Sequence, residues 1–381
     1  MTKIVFKLEV IQPEGFFLKN EELKTSHDKK NGLLTHITTV AAGRTTVSTN
    51  FYRYEPALGG AYIMRVNGPA KPHTAEPTLR FIARGSLQQK AHLFLPNIYE
   101  EITVKNLRGS FGQQVYLLLR VDITGTSNTE LSMRLETSLQ NPRFYADSAG
   151  MQLLHRQYNE KLNVPANFYP MASAAVIEDV HKRITVVSNL AHGVSPNSRG
   201  MDVILDRMLN QDDGKGLGGG PDSLPTDILP VEMRFSLLVE KITTPEEDLY
   251  STHHTPAGHL SVQNVLYPPV ISMSSGSIPP LCPQCALPCN IQLLAIRAVG
   301  NNQQLLTLYN TGSVCRTNTA TTCSGDLQKG LIAYLRALRV ARVQETNLVG
   351  IVPVSSEVSV DNYQPVVHPY KFLSLLLNFS K

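Results

Sequence analysis

The chain has 381 residues, 42% hydrophobic and 17% charged, with 35 lysines and arginines against 31 acids for a formal charge of +4. At roughly 150 residues per domain this length suggests two or three domains, and so apolar a composition excludes a disordered or acidic-tail chain. The basic residues are spread along the chain without long runs, which removes the electrostatic footprint of a nucleic-acid binder and excludes nucleic acid as a partner.

At the N-terminus, MTKIVFKLEVIQPEGFF places Lys3, Lys7 and Glu9 inside its apolar stretch and so breaks the apolar core of a signal peptide. No run approaches the ~18 uncharged apolar residues of a membrane-spanning helix, so no signal or membrane anchor is expected. Strands are predicted first at QQVYLLLRVDI (113–123) and TELSMRLETSL (129–139), where apolar residues alternate with Arg, Glu and Thr as in a sheet with one wet face. KRITVVSN (182–189), MDVILDRML (201–209), MRFSLLVEKI (233–242) and IQLLAIRAV (291–299) continue the series between turn signals. Only DLQKGLIAYLRAL (326–338) has helical spacing, with Leu327, Leu331, Leu335 and Leu338 on one side, which predicts a short helix before a final strand. The fold class is therefore mainly β, in β-sandwich domains.

Two breakers organise the chain. GKGLGGGPDSLPTDILP (214–230) lies between strand-like runs and reads as a loop within a domain, whereas YPPVISMSSGSIPPLCP (267–283) divides a larger β-domain, 1–270, from a smaller one, 271–381. No repeat with the period of a solenoid or propeller is present.

Self-contained catalytic patterns are missing. Cys282 and Cys285 have CxxC spacing, but no matching second half and no nearby downstream histidine completes a zinc set. Cys315 and Cys323 enclose seven residues rich in Thr, a loop suited to a hairpin disulfide, with reduced core cysteines as the alternative. The odd count of five leaves a thiol over, and the pairing of Cys282, Cys285 and Cys289 stays open. Gly214, Gly216 and Gly219 match GxGxxG, yet Gly220, Pro221 and Asp222 follow where a dinucleotide site needs a helix. His253, His254 and His259 sit in STHHTPAGH, read as a polar loop in which adjacent histidines point opposite ways and do not converge on a metal. Neighbouring acids, Asp212 with Asp213 and Glu246 with Glu247, are residue types of a glycosidase but read as solvated loop carboxylates. No GxSxG, HExxH or HxD occurs.

Several ordered pieces carry a resemblance: GGAYIMRVNGPAKP (59–72), RFYADSAGMQLLHR (143–156), NFYPMASAAVIED (167–179), VILDRMLNQDDGKGLGGG (203–220), LPCNIQLLAIRAV (287–299) and the Cys315 to Cys323 spacing. Together they resemble the C-terminal β-region of glycoside hydrolase family 38, most closely its Golgi α-mannosidase II branch, from about residue 20 to the C-terminus and most strongly over 143–220. The resemblance implies a galactose-mutarotase-like large β-sandwich followed by a smaller β-domain. It implies a zinc-dependent retaining α-mannosidase that trims mannose from N-glycans, with Zn2+ held by two aspartates and two histidines and an aspartate nucleophile. Those residues belong to an N-terminal catalytic domain and have no counterpart here, so the expected function is the carbohydrate-contacting part of such an enzyme, inactive alone. The alternative is a stand-alone β-sandwich protein that binds carbohydrate or acts as a scaffold.

Two positions carry over by resemblance to the sugar site. Tyr54 matches a tyrosine whose hydroxyl contacts the bound mannose. Lys215 stands where the branch has an arginine whose main-chain carbonyl contacts the sugar, and a backbone contact tolerates that change. The implied partners are a mannose-containing N-glycan, the N-terminal catalytic domain and a second copy of the chain as a homodimer. The implied setting is the Golgi or secretory-pathway lumen, which fits the 24 prolines, 25 glycines and late cysteines, and Asn378-Phe379-Ser380 is a glycosylation sequon.

Overall fold

A computed structural model describes residues 7–10, 15–60, 62–73, 76–147, 150–211, 213–214, 229–244, 250–271, 273, 275–276, 286–288, 290–312 and 326–379. The described residues form two compact units, the first running to Pro268 and the second beginning at Pro269.

Period-two burial builds the first unit. Along Gly43–Tyr54, Thr45, Val47, Thr49 and Phe51 are buried and the residues between them are half-buried, so one face turns inward. Gln114–Val121, Val231–Lys241 and Lys182–Ser188 pair side by side within an antiparallel sheet of eleven strands. Gly200–Met208, Thr129–Thr137 and Gly43–Tyr54 form the middle of a second sheet, of eight strands. Ile102, Leu117, Val186, Phe235 and Leu237 of the first sheet and Val47, Phe51, Met133, Leu135 and Val203 of the second belong to one buried cluster. Two sheets sharing a core in this way make a β-sandwich, and each such side chain contributes about 1.5–3 kcal/mol by leaving water.

The second unit is a five-stranded sheet with a helix on one face. The predicted helix occupies Leu327–Ala337, capped by the Asp326 carboxylate, which accepts from the Gln328 and Lys329 amides. Leu331 and Leu335 are fully buried against Leu306, Leu308, Val343, Leu375 and Leu377, while Leu327 and Leu338 pack at the margin.

A second helix, Pro256–Leu266, corrects the reading of STHHTPAGH as a loop. Thr-Pro looks like a breaker, but proline at the first helical position lacks only an amide that would be unpaired anyway. The Thr255 side chain caps the helix by accepting from the Gly258 amide at 3.0 Å. Val262 then packs with Tyr145, Val176 and Val187 on the eleven-stranded sheet.

Candidate functional site

The sheet register brings two loops together. Tyr54 and Arg207 both stand opposite Glu130, one on each side of Thr129–Thr137. The outer strands run antiparallel to this middle one, so the chain leaves the same end of the sheet after Tyr54 and after Met208. A register shift between Leu131 and Ser132 brings Arg207 into this row.

The first loop is a narrow excursion over 55–67. Ala57 donates its amide to the Arg65 carbonyl at 2.9 Å, and Asn67 donates to the Glu55 carbonyl at 2.8 Å. The end of the strand Gly200–Met208 and the loop that follows it pin this excursion at three places. Arg207 pairs with the Glu130 carboxylate and donates to the Ile63 carbonyl at 3.0 Å, and Gln211 donates to the Ala57 carbonyl at 2.7 Å. The Tyr62 hydroxyl donates to the Asp213 carboxylate. Glu130 is 1% exposed, and its burial raises its pKa against the opposing pull of Arg207. Tyr62, by contrast, is 59% exposed. The result is an exposed phenol held beside residue 213 by a buried ion pair, two residues before Lys215.

Tyr54 occupies a different environment from that exposed phenol. Burial along its strand breaks alternation at the end, where Arg53 is exposed and Tyr54 buried. Tyr54 lies on the face turned away from the core but is only 4% exposed, because the edge of its ring meets Phe168 and its hydroxyl donates to Asp202 Oδ2 at 2.8 Å. Arg134 grips the same carboxylate with two parallel bonds, Nε to Oδ1 at 2.6 Å and Nη2 to Oδ2 at 2.7 Å. Asn197 adds a donor to Oδ1 at 3.3 Å, and the Arg134 guanidinium lies 4.0 Å from the Tyr52 ring centre. Burial, then the Asp202 charge, pushes the Tyr54 phenol up, and the bonds to Asp202 push Arg134 up. The phenol is therefore a neutral donor committed to Asp202, at the wall of a cleft of about 950 Å³ also lined by Arg143, His155, Arg156, Asn197 and Tyr158.

Lys215, Asp212, Glu246, Glu247 and all five cysteines, Cys315 and Cys323 among them, lie outside the described residues. His254 is buried, and burial pulls its imidazole down to about 3, so it is neutral at physiological pH. Among the described residues no three His, Cys, Asp or Glu side chains come together to hold a metal. No described helix is long and apolar enough to cross a membrane.

Sequence reading missed Tyr62, Glu130, Arg134, Asp202 and Arg207. Tyr62 stands in the quoted GGAY motif, Glu130, Arg134 and Asp202 stand at wet-face positions of predicted strands, and Arg207 joins that face only through the register shift. Only the register shows that they meet.

Residues 18–215, just over half of the chain and the whole of this loop pair, match the family described as "Glycosyl hydrolases family 38 C-terminal domain". The chain belongs to family 38 of the glycosyl hydrolases. It is 31% identical over 333 residues to human "Alpha-mannosidase 2", covering 80% of this chain and 28% of that protein. Over 328 residues it is 31% identical to mouse "Alpha-mannosidase 2x", covering 78% of this chain and 28% of the relative. It thus spans less than a third of the length of these relatives. A crystal structure of an α-mannosidase from Enterococcus faecalis V583 superimposes with a TM-score of 0.65 at 15% identity, over 98% of this chain and 43% of that one, and shows the shared fold. The mainly β architecture is therefore that of the C-terminal domain of the family-38 α-mannosidases.

Proposed function

We propose that this family-38 chain supplies the C-terminal, carbohydrate-contacting part of a zinc-dependent retaining α-mannosidase that trims mannose from N-glycans in the Golgi or secretory lumen. The observation that carries the reading is the loop pair. Tyr62 presents an exposed phenol, and its loop is held by Arg207, itself paired with Glu130, by Gln211 and by Asp213. Tyr62 takes the sugar-facing place that resemblance assigned to Tyr54, because its ring is 59% exposed whereas Tyr54 is only 4% exposed. Tyr54 anchors the root of the same loop, and Lys215 completes the sugar contact through its main chain. In this reading zinc and the nucleophile belong to an N-terminal catalytic domain, as the family resemblance implies. What this chain does for the reaction is to orient sugar hydroxyls by hydrogen bonding and to present an aromatic ring to the sugar face.

The test is immunoprecipitation with an antibody to this segment from the source organism. The antibody is expected to recover α-mannosidase activity with a species well above the 42.0 kDa of the chain. A 42.0 kDa band alone, with the activity left in the supernatant, would replace this reading with the stand-alone carbohydrate-binding protein. Within the same proposal Cys315 and Cys323 are paired. Thiol labelling of secreted protein after denaturation without reductant should then leave both unlabelled, and labelling of both would end that assignment.

A further inference from the structure

The cleft beside Tyr54 holds positive charge that no buried acid among the described residues answers. Arg134, Arg143 and Arg156 all line it. Arg134 is neutralised by Asp202, but neither Arg143 nor Arg156 has a carboxylate partner among the described residues. The Nε of Arg156 is buried without a hydrogen-bond acceptor, and its guanidinium is held over the Tyr169 ring, 5.1 Å from the centre. A buried guanidinium donor left unpaired is costly, and native proteins resolve such groups with an ordered water, an ion or a ligand. His155 adds no charge at neutral pH, because burial and then Arg143 lower its pKa. Glu160 also lines the cleft but is exposed, where solvent screens it.

The remaining lining suits the body of a small polar ligand. Tyr158 is 43% exposed at the cleft, and Gln157, Ser195, Asn197 and Ser198 supply amide and hydroxyl groups. A volume of about 950 Å³ accommodates one or two sugar rings.

From this geometry we infer that the cleft is a binding site for a sugar carrying an anionic group, whose carboxylate or phosphate pairs with Arg156 and Arg143 while its ring lies against Tyr158. Guanidinium groups bind both kinds of anion through paired N–H donors. The site is separate from the Tyr62 loop pair and does not depend on the function proposed for it.

The experiment is titration calorimetry on the folded chain with glucuronate, glucose 6-phosphate and glucose. At least one of the two anions is expected to bind at least tenfold more tightly than glucose, with affinity falling as salt rises. Binding of only one identifies the anion as carboxylate or phosphate. Arg156→Gln and Arg143→Gln, each first confirmed as folded by circular dichroism, are expected to weaken that binding about tenfold each, whereas Tyr62→Phe leaves it unchanged. Equal affinity for glucose and both anions, or anion binding indifferent to both arginine substitutions, would overturn the inference.

Discussion

Glu100→Leu is expected to raise the melting temperature of the chain by about 10 °C at about pH 8.5 and by far less at about pH 5. Glu100 lies on Ile98–Lys105 in line with Ile98, Ile102 and Val104, facing the sandwich core opposite Leu93 and Leu119. It is 0% exposed, and neither carboxyl oxygen has a hydrogen-bond partner among the described residues. Burial alone pushes its pKa up to about 8. In the unfolded chain the group ionises near its ordinary value, while the folded chain keeps the proton. Between those two pH values the unfolded state binds fewer protons, so stability falls as pH rises, by about 1.4 kcal/mol per unit. The loss is absent below the unfolded value and complete above about 8. Leucine removes the titration and fits the aliphatic row. Calorimetric melts of both proteins across this range provide the check, and a gain that is the same at both ends would mean that the carboxylate has a partner in the fold.

Asp202→Ala is expected to cost about 3–5 kcal/mol, because it removes the acceptor of three side chains at once and leaves Arg134 unpaired. Asp202 is 4% exposed, and Arg134 and Tyr54 both depend on it for their bonds. The double variant Asp202→Ala with Arg134→Met should be more stable than Asp202→Ala alone, since no buried charge is then stranded. Urea unfolding of the single and double variants measures this. Additive losses would show that the ion pair makes no joint contribution. Because Tyr54 is the last strand residue before the 55–67 excursion, Asp202→Ala should also speed proteolytic cleavage within that loop.

Much of this architecture was legible in the residues alone. The alternation in 113–123 and 129–139 marks strands because a side chain on a pleated backbone faces one side or the other at every second position, and 182–189, 201–209 and 233–242 mark theirs as short β-rich runs between turn signals. The helix at Leu327–Ala337 was equally legible from leucines at helical spacing. Pro256–Leu266 was not, because the same Thr-Pro pair serves either a turn or a helix start, and burial on the sheet decided between them.

The site divides along the same line. By itself the sequence determined the β class, the family motifs and the presence of an aromatic residue in GGAY, all of which are local or ordered along the chain. Which tyrosine faces outward was decided only by the tertiary structure. Glu130 and Arg207 are 77 residues apart, and Tyr54 and Asp202 are 148 apart. Their meeting depends on strand order and on a single register shift, and in a sheet one residue of slip moves every side chain to the other face.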